Sequence, residues 1–138
     1  MYVAGLNDDP VMIVPEESQY GGDTIITCDW GFNRNAKVVT FYRRPEKLPK
    51  EQVAEFELKP NGQLIRAKLH STKFDKGLRT KMKVSLIIHD VLKNDTGPYL
   101  CKVTVKGTGI SEADQTRESG EKRLNIKRRC NQHVGKIQ

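Results

Sequence analysis

Cysteine and histidine are the residues here best equipped for redox, metal or nucleophilic chemistry. Cys28, Cys101 and Cys130 are far apart and lack the C-x-x-C spacing that zinc sites and thiol redox centres favour. His70, His89 and His133 are equally scattered. Serines, histidines and aspartates occur, but none sits in a nucleophile setting such as Gly-x-Ser-x-Gly. The chain therefore reads as a non-enzyme, with no catalytic residue, metal or cofactor expected. Two covalent modifications stay open: pairing among the cysteines, and glycosylation of Asn94 in the acceptor Asn94-Asp95-Thr96, which occurs once in the sequence.

The elements that would position these residues are short and alternating. Val84, Leu86 and Ile88 fall on one side of a strand, because successive side chains point to opposite faces of a sheet. Asp95 and Gly97 are turn residues that let the chain reverse. Tyr99 and Cys101 then share a face and can enter one core. Upstream, Pro10 to Pro15 suits an edge strand, and Gly21-Gly22 is a turn. Asp23 to Trp30 puts Thr24, Ile26, Cys28 and Trp30 on one face. Lys37 to Arg44 is a further strand. Glu51 to Leu58 and Gln63 to Leu69 follow as a pair, joined through Asn61-Gly62, a strong hairpin signal. Past Cys101, Val103 and Val105 face inward. Gly107 to Ser119 reads as a polar loop without periodicity, and Gly120 to Ile126 as a last strand.

The run Val84 to Cys101, with Asp95-x-Gly97-x-Tyr99-x-Cys101 at its end and Cys28 far upstream, resembles the E strand, E–F corner and F strand of V-set immunoglobulin domains, such as those of non-rearranging immune-type receptors and cell-adhesion proteins. The resemblance covers residues 10–127. It implies an all-β, V-type immunoglobulin-like sandwich with Greek-key topology and one inter-sheet disulfide, Cys28–Cys101. A hydroxyl tie from Tyr99 to the corner backbone is also implied, as is a pairing of Lys73 with Asp95. Phe41 stands where such domains usually carry a tryptophan. Residues 1–9 are then an N-terminal extension and 128–138 a linker or stalk, with Cys130 available for an intermolecular disulfide.

A disulfide of this kind belongs to oxidising compartments, so an extracellular setting is expected, either secreted or as a cell-surface ectodomain. Met1 to Gly5 lacks the basic start and apolar run of a secretory signal, which suits a mature fragment. No run of 18 apolar residues exists to insert into a membrane. The resemblance implies binding of a protein ligand or counter-receptor through the G-F-C-C′ face. Its outward residues by alternation are Thr40, Tyr42, Arg44, Leu100, Lys102 and Thr104. Tyr42 would anchor the contact, a homodimer is the expected assembly, and the Gly107–Ser119 loop resembles a third hypervariable loop. The net charge of +7 is spread along the chain and interleaved with acids, without a nucleic-acid-binding motif, so no nucleic acid is expected. The alternative is a secreted effector that binds acidic polysaccharide or microbial surfaces by charge through Arg43, Arg44, Lys127, Arg128 and Arg129.

Overall fold

The computed structural model describes residues 9–31, 34–107 and 113–127. Its strands are β1 (Val11–Ile13), β2 (Ser18–Gln19), β3 (Thr24–Asp29), β4 (Ala36–Arg43), β5 (Glu51–Leu58), β6 (Leu64–Leu69), β7 (Phe74–Arg79), β8 (Lys83–Ile88), β9 (Gly97–Val105), β10 (Gln115–Glu118), β11 (Lys122–Leu124) and β12 (Ile126–Lys127). A single 3-10 turn, Lys93–Asp95, joins β8 to β9. Among the described residues the fold is otherwise all-β.

One sheet has the order β1-β3-β8-β7, and the other β10-β9-β4-β5-β6, with β11 continuing along β9. Neighbours in both are antiparallel. A small parallel pairing of β12 with β2 brings the end of the fold to its beginning. The alternation read from sequence holds on the inner faces. Ile26 and Cys28 from β3, Val84, Leu86 and Ile88 from β8, and Phe41, Tyr99, Cys101 and Val103 from the second sheet are all buried in one core. Phe41 meets Phe56 edge to face at 5.9 Å between ring centroids, so two phenyl rings fill the centre of the sandwich. The Cys28–Cys101 disulfide crosses this core from sheet to sheet.

The hairpin between β5 and β6 closes as its Asn-Gly signal suggests. Gly62 has φ of +91°, and a Cβ there would lie 2.9 Å from the carbonyl carbon of Thr80. The tip of this hairpin therefore rests directly on the turn between β7 and β8, and only glycine fits. Trp30 closes the same region, its indole N–H donating to the Lys81 carbonyl at 3.0 Å.

One stretch departs from the sequence reading. Gly107–Ser119 was expected to be loop throughout, yet Gln115–Glu118 is a strand, paired from Gln115 opposite Val105 to Glu118 opposite Lys102. It carries no apolar alternation because neither of its faces enters the core. Its stability comes from the ladder with β9, which a hydrophobic pattern cannot reveal. The last strand is broken at Ser119. Its N–H donates to the Cys101 carbonyl at 2.8 Å, and its hydroxyl accepts from the Cys101 N–H at 2.9 Å. A side chain thus takes over a bond that the backbone drops.

Candidate binding face

The corner that positions β9 is built around Asp95. This residue is buried, with 4% of its surface exposed. Its Oδ2 accepts from the Leu92 N–H and the Lys73 ammonium, each at 2.8 Å. Its carbonyl accepts from the Tyr99 hydroxyl at 2.7 Å. The Lys73–Asp95 pairing and the tyrosine tie both stand as the sequence reading has them. Burial pushes the Tyr99 hydroxyl up to about 12, the Arg43 guanidinium opposing the rise and the Asp95 carboxylate adding to it. The sequence reading names Arg43 only as a charged contact of the alternative and misses its place at this corner. Its guanidinium bonds Glu51 at 2.6 Å, reaches the Asn94 carbonyl at 3.3 Å and lies 3.8 Å from Asp95 Oδ1. The only available signal was its place at the end of β4, directly opposite Tyr99.

The outward face of the second sheet centres on Tyr42. Lys50 Nζ lies 4.6 Å from the centre of its ring and Lys102 Nζ 5.4 Å, so the half-buried ring is flanked by two cations. Lys50 also bridges to Glu118, and Arg44 to Glu121. These pairs reach from β10 and the segment beyond it to residues past β4, over the intervening β9. The Thr104 hydroxyl meets that of Thr116 at 2.9 Å. At the end of the face, Asp114 is held by Lys37 at 2.7 Å and by the Gly107 N–H at 3.1 Å, which draws its carboxyl below the usual range.

Two of the six expected contact residues need correction. Thr40 and Leu100 do point away from the core, but they are only 3% and 2% exposed. Leu100 lies outside the core cluster, so strands and side chains of this chain cover it on the outward face. Alternation gives direction and not exposure, and a central strand flanked by long charged side chains leaves its small neighbours covered. Tyr42, Arg44, Lys102 and Thr104 remain at least partly accessible. Of the basic residues assigned to the alternative reading, Arg43 and Arg44 are engaged in ion pairs and Lys127 is exposed. Arg128, Arg129 and Cys130 lie outside the described residues. Asn94 is exposed on the corner turn, and Arg43 holds its carbonyl rather than its side chain. Among the described residues, no group of three or more His, Cys, Asp or Glu side chains could hold a metal ion, and no helix is long and apolar enough to cross a membrane.

No family model matches the chain. No curated protein matches it. Its likeness is to solved structures, of which 1890 chains match, so the fold is widely used and says little about any one function. One of them comes from a structure titled "Structural basis of T cell specificity and activation by the bacterial superantigen toxic shock syndrome toxin-1". It superimposes with a TM-score of 0.65 at 18% identity, covering 86% of this chain and 99% of that one, a likeness of fold alone.

Proposed function

We propose that this chain is a V-type immunoglobulin domain that acts as an extracellular recognition module, as in an immune-type or adhesion receptor. It binds a protein partner, a second copy of itself included, through the outward face of β10, β9, β4 and β5. The fold part of this reading is supported by strand order. Variable-type sandwiches set A, B, E and D in one sheet and add C′ and C″ to G, F and C in the other, which corresponds to β1-β3-β8-β7 and β10-β9-β4-β5-β6. The disulfide, the Tyr99 tie and the Lys73–Asp95 pair fall at the positions such domains use, and the connections suit a Greek key.

The observation that carries the functional part is Tyr42. It is a half-buried aromatic flanked by two cations on the outward face of the sheet, with carboxylates and hydroxyls nearby. That is the makeup of an interface centre with its rim. A tyrosine offers a large contact area with few rotatable bonds, so docking it orders little side-chain freedom.

Tyr42→Ala tests the reading. If Tyr42 anchors the contact, its loss costs 2 kcal/mol or more of association, roughly thirtyfold in dissociation constant. The two cation–ring contacts are worth about 0.5–1 kcal/mol each, so unfolding shifts by about 2 kcal/mol at most, and an anchoring role requires association to fall by more than unfolding does. Sedimentation over a concentration series reads the first quantity and thermal melting the second. Equal self-association by wild type and variant, together with equal capture of a cell-surface protein ligand, would leave this face without the role proposed.

A further inference from the structure

The net charge of the chain is not spread evenly. Residues 59–83 hold eight lysines and arginines against a single acid, Asp75, a net +7 equal to that of the whole chain. Everything outside this segment is therefore neutral on balance. The segment is also contiguous in space. It runs from the β5–β6 turn along β6, the outermost strand of one sheet, and β7, the outermost of the other, into the turn before β8. The contact of Gly62 with Thr80 seats the first turn on the last. One narrow side of the sandwich thus carries all of the excess positive charge.

Part of that charge is committed. Lys73 binds Asp95, and Arg66 lies 3.4 Å from Glu57. Lys59, Arg79 and Lys81 are exposed and pair with no carboxylate among the described residues. They gather where the two turns meet. There Asn61, Gly62, Gln63, Leu64 and Arg79 line an open depression of about 490 Å³. Arg79 has one nitrogen 3.4 Å from the Gly77 carbonyl and keeps further N–H groups for a ligand. Asn61 spends its Oδ1 on the Gln63 N–H at 2.9 Å, which leaves its amide nitrogen to donate.

We infer that this junction is a binding site for an acidic polysaccharide, with Arg79 as the fork for a sulfate or carboxylate and Lys59 and Lys81 beside it. The site goes beyond the protein-binding face, which lies on the outward side of β4 and β9, and it shares no residue with it. The ligand class follows from the lining. Guanidinium pairs with planar or tetrahedral oxyanions through parallel N–H bonds. Side-chain amides that can both donate and accept suit the hydroxyls between the charged groups of a sugar chain. A depression of this volume is within the range that holds a small ligand or a unit of a longer one. Single-stranded nucleic acid asks for exposed aromatic rings, and Phe74, the one such ring in the segment, is 5% exposed. An anionic bilayer asks for an apolar insertion surface, whereas this site is concave and polar. Ile65 and Leu78 are exposed on the same side, so vesicles belong in the test.

The probe is heparin, a sulfated uronate polysaccharide, measured by affinity chromatography and titration in rising salt. The wild type binds, and the triple variant Lys59→Ala/Arg79→Ala/Lys81→Ala loses about tenfold in affinity, with earlier elution. Thermal melting confirms that the variant folds. The Lys81 carbonyl that receives Trp30 is main chain, so it survives the substitution. A charge-matched control, Lys93→Ala/Lys106→Ala/Lys122→Ala, keeps wild-type affinity. Three results would overturn the site: no heparin binding by wild type, equal loss in the control, or tighter binding to phosphatidylserine vesicles or single-stranded DNA than to heparin.

Discussion

Tyr99 does two jobs with one ring: it fills the core beside the disulfide, and its hydroxyl fixes the corner carbonyl of Asp95. Burial raises its pKa from 10.0 to about 12. The folded state therefore holds the phenol proton more tightly than the unfolded chain does. The stabilisation is complete below pH 10 and is lost as pH rises through 12. Lysines titrate in the same window, so the comparison must be with Tyr99→Phe. At neutral pH this variant loses the hydroxyl bond, about 1 kcal/mol. Its urea midpoint should then fall less than that of wild type between pH 10 and 12, and parallel decline of the two would refute the assignment. Ser119 is the second residue with an outsized role. Ser119→Ala leaves the buried Cys101 N–H without its acceptor, a cost of about 1–3 kcal/mol. Cys101 amide exchange should accelerate in that variant, while a shift confined to global stability would mean that the bond is remade elsewhere.

At the scale of elements, legibility tracked burial. Strands with an inner face, such as β3, β5 and β8, were readable because Ile26 and Cys28, or Val84, Leu86 and Ile88, alternate with residues outside the core. The corner was readable for a different reason. Asp95, Gly97 and Tyr99 are each demanded by a specific local geometry, and their spacing is rigid. β10 was not readable, because Gln115, Thr116, Arg117 and Glu118 fill a ladder without entering the core. The break at Ser119 was hidden as well, since a hydroxyl replacing a backbone bond leaves no pattern in neighbouring residues. The binding face was half legible. Alternation placed Tyr42 and Leu100 outward together, but could not show the burial of Leu100 or the ion pairs of Lys50 with Glu118 and Arg44 with Glu121, whose partners are 68 and 77 positions apart. The corner role of Arg43 was lost for the same reason, since its three partners come from the β5 strand and the corner turn.

For the molecule as a whole, the Cys28–Cys101 disulfide is a side-chain cross-link between two sheets whose shared core is otherwise side-chain packing. Cys28 and Cys101 are 73 positions apart, so the bond restricts a long segment of the unfolded chain. In the chain-entropy account a loop of this length contributes about 4 kcal/mol, a large share of a small domain's 5–15 kcal/mol. Cys28→Ala/Cys101→Ala removes the link and opens a small void where both sulfurs are fully buried. The urea midpoint should drop by an amount corresponding to about 4 kcal/mol, with a steeper dependence on denaturant because the unfolded chain is less compact. Peptide mapping of wild type without reductant should recover Cys28 joined to Cys101. The same variant isolates Cys130 as the sole remaining thiol. A dimer band on non-reducing electrophoresis of this variant, abolished by adding Cys130→Ser, would identify that cysteine as an interchain link. A midpoint unchanged from wild type would mean that the two sheets are held by packing alone, and the disulfide would then lose its structural role.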